Sequence, residues 1–284
     1  MGAPANLLSV DAEDYYSLAV RDQLGMDVEI SADVVPQTRQ LLAFLEQARL
    51  RATWFIVGSL ARAQPHLVAD VAAAGHEVAS HGYAHVPLSR LTPGTFRSDL
   101  ALSVRALEDA AGRPVRAFRA PAFSLRAEHT WAFDIMADLG IATDSSLRII
   151  WPWGLSSGRA VIAAARQRGV TEIPGFAVGV GRWGIPVGGG GGLRVLPAGI
   201  TRAILRRVNR AGLPAALYVH PYDLPAAGAR TAWPPSRWPA AFRLWRFDAL
   251  QNAGRRRLAL RLLDAAAAGD LATPAASVRV GTER

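Results

Sequence analysis

Short apolar runs and helix-period stretches alternate along the first half of the chain. Residues 7–10 (Leu-Leu-Ser-Val) read as a strand, and residues 34–48 as a helix whose apolar face carries Leu41, Leu42, Phe44 and Leu45. Residues 52–57 predict a second strand, and residues 65–74 a helix closed by Gly75. Residues 77–79 predict a third strand, and residues 95–111 a helix that stops at Gly112 ahead of Pro114. A fourth strand over 115–119 and a helix over 129–139, ended by Gly140, follow. Repeated strand–helix units of about 25 to 30 residues predict an α/β fold with a parallel sheet, open or closed into a barrel.

The second half is less regular. Residues 188–192 are five successive glycines without the Gly-Lys-Ser/Thr ending of a phosphate-cradling loop, so they predict a flexible loop near the active site. Residues 215–219 predict a buried strand that runs into His220, and residues 253–268 an amphipathic helix carrying Leu258, Leu260, Leu262 and Leu263. With no repeat and no long linker, one domain over residues 1–273 is expected, followed by a flexible tail over 274–284.

Composition narrows the picture. The 284 residues are 50% hydrophobic, enough for a large core, yet no apolar run reaches membrane-spanning length. The first six residues lack a basic region followed by an apolar stretch, so no signal peptide and a cytoplasmic location are expected. The absence of cysteine excludes disulfides, thiolate metal sites and a cysteine nucleophile. All 32 basic side chains behind the net charge of +9 are arginine, a usage that reads as coding bias rather than a nucleic-acid groove. Arg202, Arg206, Arg207 and Arg210, then Arg243, Arg246, Arg255, Arg256 and Arg257, gather late in the chain, where a peripheral contact with anionic lipid headgroups is expected.

Chemistry concentrates at predicted strand ends. His81 and His85 stand four residues apart after the third strand, and the cluster Asp11-Ala12-Glu13-Asp14 closes the first. Two histidines and a carboxylate, with positions left for water, make the layout of a hydrolytic metal site, and a second carboxylate there would serve as general base. The histidine pair is a weak motif alone. Its weight comes from placement, because parallel α/β sheets collect their chemistry at the carboxyl ends of strands, where Arg119 and His220 also fall.

Taken in order, Ser9-Val10-Asp11-Ala12-Glu13-Asp14-Tyr15-Tyr16, Ala52-Thr53-Trp54-Phe55, residues 75–85 (Gly-His-Glu-Val-Ala-Ser-His-Gly-Tyr-Ala-His), Phe118-Arg119-Ala120-Pro121, Asp144-Ser145-Ser146 and residues 217–223 (Leu-Tyr-Val-His-Pro-Tyr-Asp) resemble the polysaccharide deacetylase family, carbohydrate esterase family 4. The likeness is greatest to the branch found with exopolysaccharide biosynthesis and exosortase loci. It implies a single distorted (β/α) barrel of seven strands. It also implies metal-dependent removal of N-acetyl groups from amino sugars of a polysaccharide or its lipid-linked precursor, with zinc the implied divalent ion. Asp11 then matches the catalytic base, Arg119 the arginine that orients it, His220 the acid for the departing amine, and His81 and His85 two metal ligands. The third ligand is Glu13 or Asp14. Strand alternation puts Glu13 on the side of Asp11 and favours it. Tyr15, Tyr83, Pro121 and Tyr222 are the implied substrate-binding residues, and Trp151, Trp153 and Trp183 extend the candidate sugar-stacking wall. Asp144 is open between a role in the site and a turn cap, while His66, His76 and His129 read as structural. A cyclic amide hydrolase of the same fold and a catalytically silent carbohydrate-binding protein are the alternatives.

Overall fold

The computed structural model describes residues 6–151, 153–180, 183–189, 192–193, 196–224, 258 and 262. In chain order these give β1 (Leu7–Ala12), α1 (Tyr15–Leu24), α2 (Val34–Gln47), β2 (Thr53–Ile56), α3 (Gly58–Ala63), α4 (Pro65–Ala73) and β3 (Glu77–Ser80). Next come α5 (Pro93–Ala111), β4 (Ala117–Phe118), α6 (Ala132–Asp138), β5 (Thr143–Asp144), β6 (Arg148–Trp151), α7 (Leu155–Gln167) and β7 (Thr171–Glu172). The last are β8 (Gly175–Val180), β9 (Trp183–Pro186), α8 (Ala198–Arg210) and β10 (Ala216–Val219).

The strands form one curled sheet in the order β6-β8-β10-β1-β2-β3-β4-β5-β7, with β9 antiparallel to β8 and every other pairing parallel. This is the α/β barrel class. Among the described residues the strand number rises to ten because β6, β8 and the β9 hairpin strand extend one end, and because β5 and β7 are two-residue strands visible only through their partners.

Period-two alternation sorts the buried residues into two cores. Leu8, Val10, Trp54, Ile56 and Val78 pack with Leu41, Leu45, Leu60, Val68 and Leu100 from the helices. The opposite face gives a small second cluster of Leu7, Phe55, Ala79, Ala117, Ile173 and Ala216, with no helix residue in it. Each fully buried Leu, Ile or Phe contributes about 1.5–3 kcal/mol, so the helix-facing core carries most of the stability. The concave face is left room for polar groups. Leu258 and Leu262 are buried in the helix-facing core; the rest of the helix expected over 253–268, and the tail expected over 274–284, lie outside the described residues.

Local chemistry sets the helix ends. Thr92 and Thr95 form a reciprocal capping box and Pro93 occupies the first turn, so α5 starts two residues ahead of its expected position. The 129–139 helix is shortened because His129 Nδ1 accepts from Arg126 N at 3.2 Å in a separate 3-10 turn, and α6 begins only at Ala132. The fourth strand is shortened too, since Val115 N is held by Glu108 Oε1 of α5 at 2.9 Å. Gly188 and Gly189 correct the reading of the glycine run: a Cβ there would stand 2.5 Å from Ala216 O and 2.4 Å from the Tyr218 hydroxyl. The backbone approaches β10 at these two positions, not a ligand. No described helix is long and apolar enough to cross a membrane.

Candidate active site and metal-ligand cluster

Strand register assembles the site. Ala12, Ile56, Ser80, Phe118 and Asp144 lie in one row across β1 to β5, so the next residues, Glu13, Val57, His81, Arg119 and Ser145, form the carboxyl rim. His220 follows β10 on the other side of β1. Asp11 sits two residues behind Glu13 on the same face.

Glu13 is the hub. Its Oε2 lies 2.8 Å from His85 Nε2 and 3.9 Å from His81 Nε2. Its Oε1 accepts from the Tyr222 hydroxyl at 2.8 Å and lies 3.7 Å from His220 Nε2. Burial opposes ionisation of this carboxyl, but the surrounding histidines, His85 foremost, hold it well below the usual carboxylate range. His81 Nδ1 donates to the Arg119 carbonyl at 2.8 Å, which leaves its Nε2 lone pair facing Glu13. Burial, outweighing nearby Asp11, lowers His81 to about 4, so it is neutral at physiological pH.

The segment 82–85 is clamped from two sides. Asp99 of α5 accepts from Tyr83 N at 2.8 Å and Ala84 N at 3.0 Å, while Arg21 of α1 donates to Ala84 O at 2.9 Å and His85 O at 3.3 Å. Those contacts hold His85 in the left-handed region, φ 53°. A cavity of about 550 Å³, within the range of small-molecule sites, opens beside it between α1 and α3, lined by Arg21, Asp27, Glu29, Ser59 and His85.

Two charged pairs flank the cluster. Arg119 is fully buried and donates from Nη1 to Asp11 Oδ1 at 2.5 Å, from Nη2 to Ser145 Oγ at 2.9 Å and from Nε to Ser145 O at 3.1 Å. Its guanidinium lies 4.0 Å from the Phe55 ring centroid and 4.7 Å from that of Phe123. On the other side, His220 Nδ1 lies 3.0 Å from Asp223 Oδ2, which also accepts from His220 N at 2.8 Å. Burial disfavours the His220 cation, yet the Asp223 carboxylate outweighs it, with Glu13 and Asp11 adding, and the imidazole rises to about 9.

Glu13, His81 and His85 therefore form a possible metal site: one ligand atom from each lies within 4.8 Å of the others. A divalent ion fits this set. The donors are two imidazoles and an ionised carboxylate, and His85 Nδ1 is buried with no hydrogen-bond partner among the described residues.

The remaining expected site residues divide between the cluster and its surroundings. Asp14 caps α1, accepting from Ser17 N at 3.0 Å, and binds Ser31 through its backbone at 2.9 Å and hydroxyl at 2.6 Å. It does not join the cluster. Tyr222 is buried and stacks on His220 at 4.6 Å, with Tyr15 4.9 Å beyond it; Pro121 is buried at the start of the turn that carries Phe123. Tyr83 packs against Gly58 of α3. Trp151 has Arg207 5.9 Å over its ring, Trp153 is exposed, and the Trp183 side chain lies outside the described residues. His76 accepts from Ala52 N at 3.2 Å and is structural. Asp223 and Ser145 were not singled out from sequence, although both stand in segments that carry the site; an Asp three residues after His220 is the capping signal that marks the first.

The polysaccharide deacetylase family matches residues 26–143, and a domain of unknown function, DUF3473, matches residues 153–262. A chitooligosaccharide deacetylase from Bradyrhizobium sp. is 34% identical over 101 residues, 35% of this chain and 43% of that protein. A peptidoglycan-N-acetylglucosamine deacetylase from Bacillus cereus is 29% identical over 84 residues, 30% of each chain. The chain thus spans less than half the length of these relatives. Among solved structures, a Mycobacterium smegmatis protein assigned to the polysaccharide deacetylases aligns over 100% of this chain and 98% of its own, with TM-score 0.51 and 20% identity. A CE4 family pseudoenzyme from Bacillus anthracis covers 98% of this chain and 66% of its own, at TM-score 0.50 and 14% identity. These two likenesses concern the fold.

Proposed function

Because residues 26–143 match the polysaccharide deacetylase family, we propose that the chain is a metal-dependent hydrolase of N-acetyl groups on amino sugars of a polysaccharide or its lipid-linked precursor. The observation that carries this reading is the convergence of Glu13, His81 and His85 donor atoms within 4.8 Å, between the Asp11–Arg119 and His220–Asp223 pairs. Glu13, His81 and His85 would hold a divalent ion, zinc by the donor set, which when bound supplies Lewis-acid polarisation of the acetamide carbonyl and a lowered water pKa.

The protein's own groups do the rest. Arg119 holds Asp11 Oδ1, leaving Oδ2 to take a proton from the attacking water. His220, cationic at neutral pH and held through Nδ1 by Asp223, has its Nε2 proton available for the departing nitrogen. The Tyr222 hydroxyl donates to Glu13 and steadies it. The cavity beside His85 offers room for a sugar unit. Work in the cytoplasm, at the inner membrane face in an exopolysaccharide pathway, belongs to the same proposal; the Arg202, Arg206 and Arg210 side of α8 supports it by charge.

The test is elemental analysis of purified protein together with acetate release from chitooligosaccharides. One equivalent of divalent ion and acetate release, both lost in His81→Ala, are expected. Full metal content in His81→Ala would refute the ligand set, and wild-type protein with bound metal but no acetate release would refute the reaction.

A further inference from the structure

Asp144 is the motif carboxylate that the chemistry above leaves unused, and it is fully buried. It lies on β5 directly opposite Glu172 of β7 in the parallel register, and Glu172 is buried as well. Each carboxyl has one oxygen served by a donor of its own: Ser146 Oγ donates to Asp144 Oδ1, and Leu147 N donates to Glu172 Oε1 at 3.1 Å. The remaining oxygens, Asp144 Oδ2 and Glu172 Oε2, have no hydrogen-bond donor among the described residues, and the register sets the two carboxyls side by side on adjacent strands. Two adjacent carboxylates in a dry site cannot both stay ionised; one proton between them turns two orphaned acceptors into a donor–acceptor pair. Burial raises both groups, Glu172 well above the ordinary carboxylate range, with Arg119 the cation that opposes this.

The pair is wired to the site through two serines. Ser146 Oγ accepts from Ala120 N at 2.7 Å while donating to Asp144. Ser145 receives Arg119 on its carbonyl and hydroxyl, and its hydroxyl donates to Ile173 O, next to Glu172, at 2.7 Å. The ends of β5 and β7 thus bracket the guanidinium that holds Asp11.

We propose that Glu172 and Asp144 share one proton and that this bracket fixes Arg119 against Asp11, which makes Glu172 a positioning residue for the reaction. The shared proton rests on the register, the burial and the two unserved oxygens; its catalytic consequence rests on the reading of Asp11 as the base.

A pair of amide substitutions tests it. Glu172→Gln offers an N–H to Asp144 and keeps its carbonyl for Leu147 N; Asp144→Asn offers an N–H to an ionised Glu172. Either single variant is expected to keep kcat within about threefold, since the donor–acceptor pair survives. The double variant E172Q/D144N sets two amides against each other and leaves one hydrogen without an acceptor. Its kcat is expected to fall on the order of tenfold or more with KM unchanged, and its urea midpoint to drop below both singles. A double variant more stable than either single would mean that two ionised carboxylates had been repelling, and would overturn the proposal. An unperturbed kcat in the double variant would overturn the positioning role. If the double variant does not fold, infrared difference spectra between wild type and E172Q decide: a protonated carboxylic acid band at neutral pH is expected, and its absence overturns the shared proton. Wild-type protein without deacetylase activity would refute the proposed function and leave that band as it is.

Discussion

Replacing Arg119 with Met isolates the buried charge pair from the packing around it. Arg119 is fully buried and Asp11 is 4% exposed, so removal of the cation strands a carboxylate that water cannot reach. Met keeps an unbranched side chain beside Phe55 and Phe123, which limits the cavity term. Ser145 Oγ keeps its own bond to Ile173 O. The dominant cost is then the uncompensated carboxylate: about 4 kcal/mol of attraction at 4 Å separation in a medium of intermediate dielectric, and about 3–5 kcal/mol where one partner of a buried pair is removed. Urea denaturation followed by tryptophan fluorescence reads it, with an unchanged m-value as the check on two-state behaviour. The second variant, Arg119→Met with Asp11→Asn, is expected to recover roughly 1–3 kcal/mol of that loss, because a neutral amide needs no counter-charge. Deacetylation by Arg119→Met is expected to fall about a hundredfold or more in kcat, the scale of a mispositioned general base. A double variant as unstable as Arg119→Met would show that the loss is packing, and the argument from stranded charge would be wrong.

Two further outcomes follow from the same geometry. Asp14→Ala is expected to cost about 1 kcal/mol through loss of the α1 cap and to keep full metal stoichiometry, whereas Glu13→Ala is expected to abolish metal binding; elemental analysis of the two variants, with metal loss in Asp14→Ala as the contrary result, separates them. His220 concerns pH. Its folded pKa is raised to about 9, so the stability it adds is complete below its unfolded value near 6.5 and is lost as pH rises through about 9. Metal-free wild type is expected to lose about 2–3 kcal/mol across that window, by denaturation midpoints, and Asp223→Asn to lose far less; parallel pH curves for the two proteins would contradict it.

The difference between Glu13 and Asp14 shows what a sequence of this kind discloses and what it withholds. Asp11, His81, His85, Arg119 and His220 were legible because each stands just at or past a strand whose apolar run is short and plain, and a parallel sheet gathers such positions at one rim. Glu13 followed from alternation with Asp11. Asp14 stayed an alternative because α1 was not foreseen. Tyr15–Leu24 mixes tyrosines, Arg21 and Asp22 with few buried positions, so periodicity says little there, and only the Asp14-to-Ser17 cap marks the start. Strands β5 and β7 are two residues long and exist through their neighbours, which hid the Asp144–Glu172 pair entirely.

The roles of the tyrosines were harder to read for a related reason. Tyrosines near a sugar site suggest stacking platforms, and composition cannot distinguish a ring that faces the cleft from one that supports it. Pro221 opens a 3-10 turn after β10, and Asp223 closes it by accepting from His220 N at 2.8 Å. That turn folds Tyr222 inward, flat against His220, with its hydroxyl on Glu13. One four-residue segment thereby orients the candidate acid and steadies a candidate metal ligand. Its order His-Pro-Tyr-Asp has a local physical basis: proline starts the turn, the tyrosine reaches the carboxylate, and the aspartate three residues on both caps the turn and charges the imidazole.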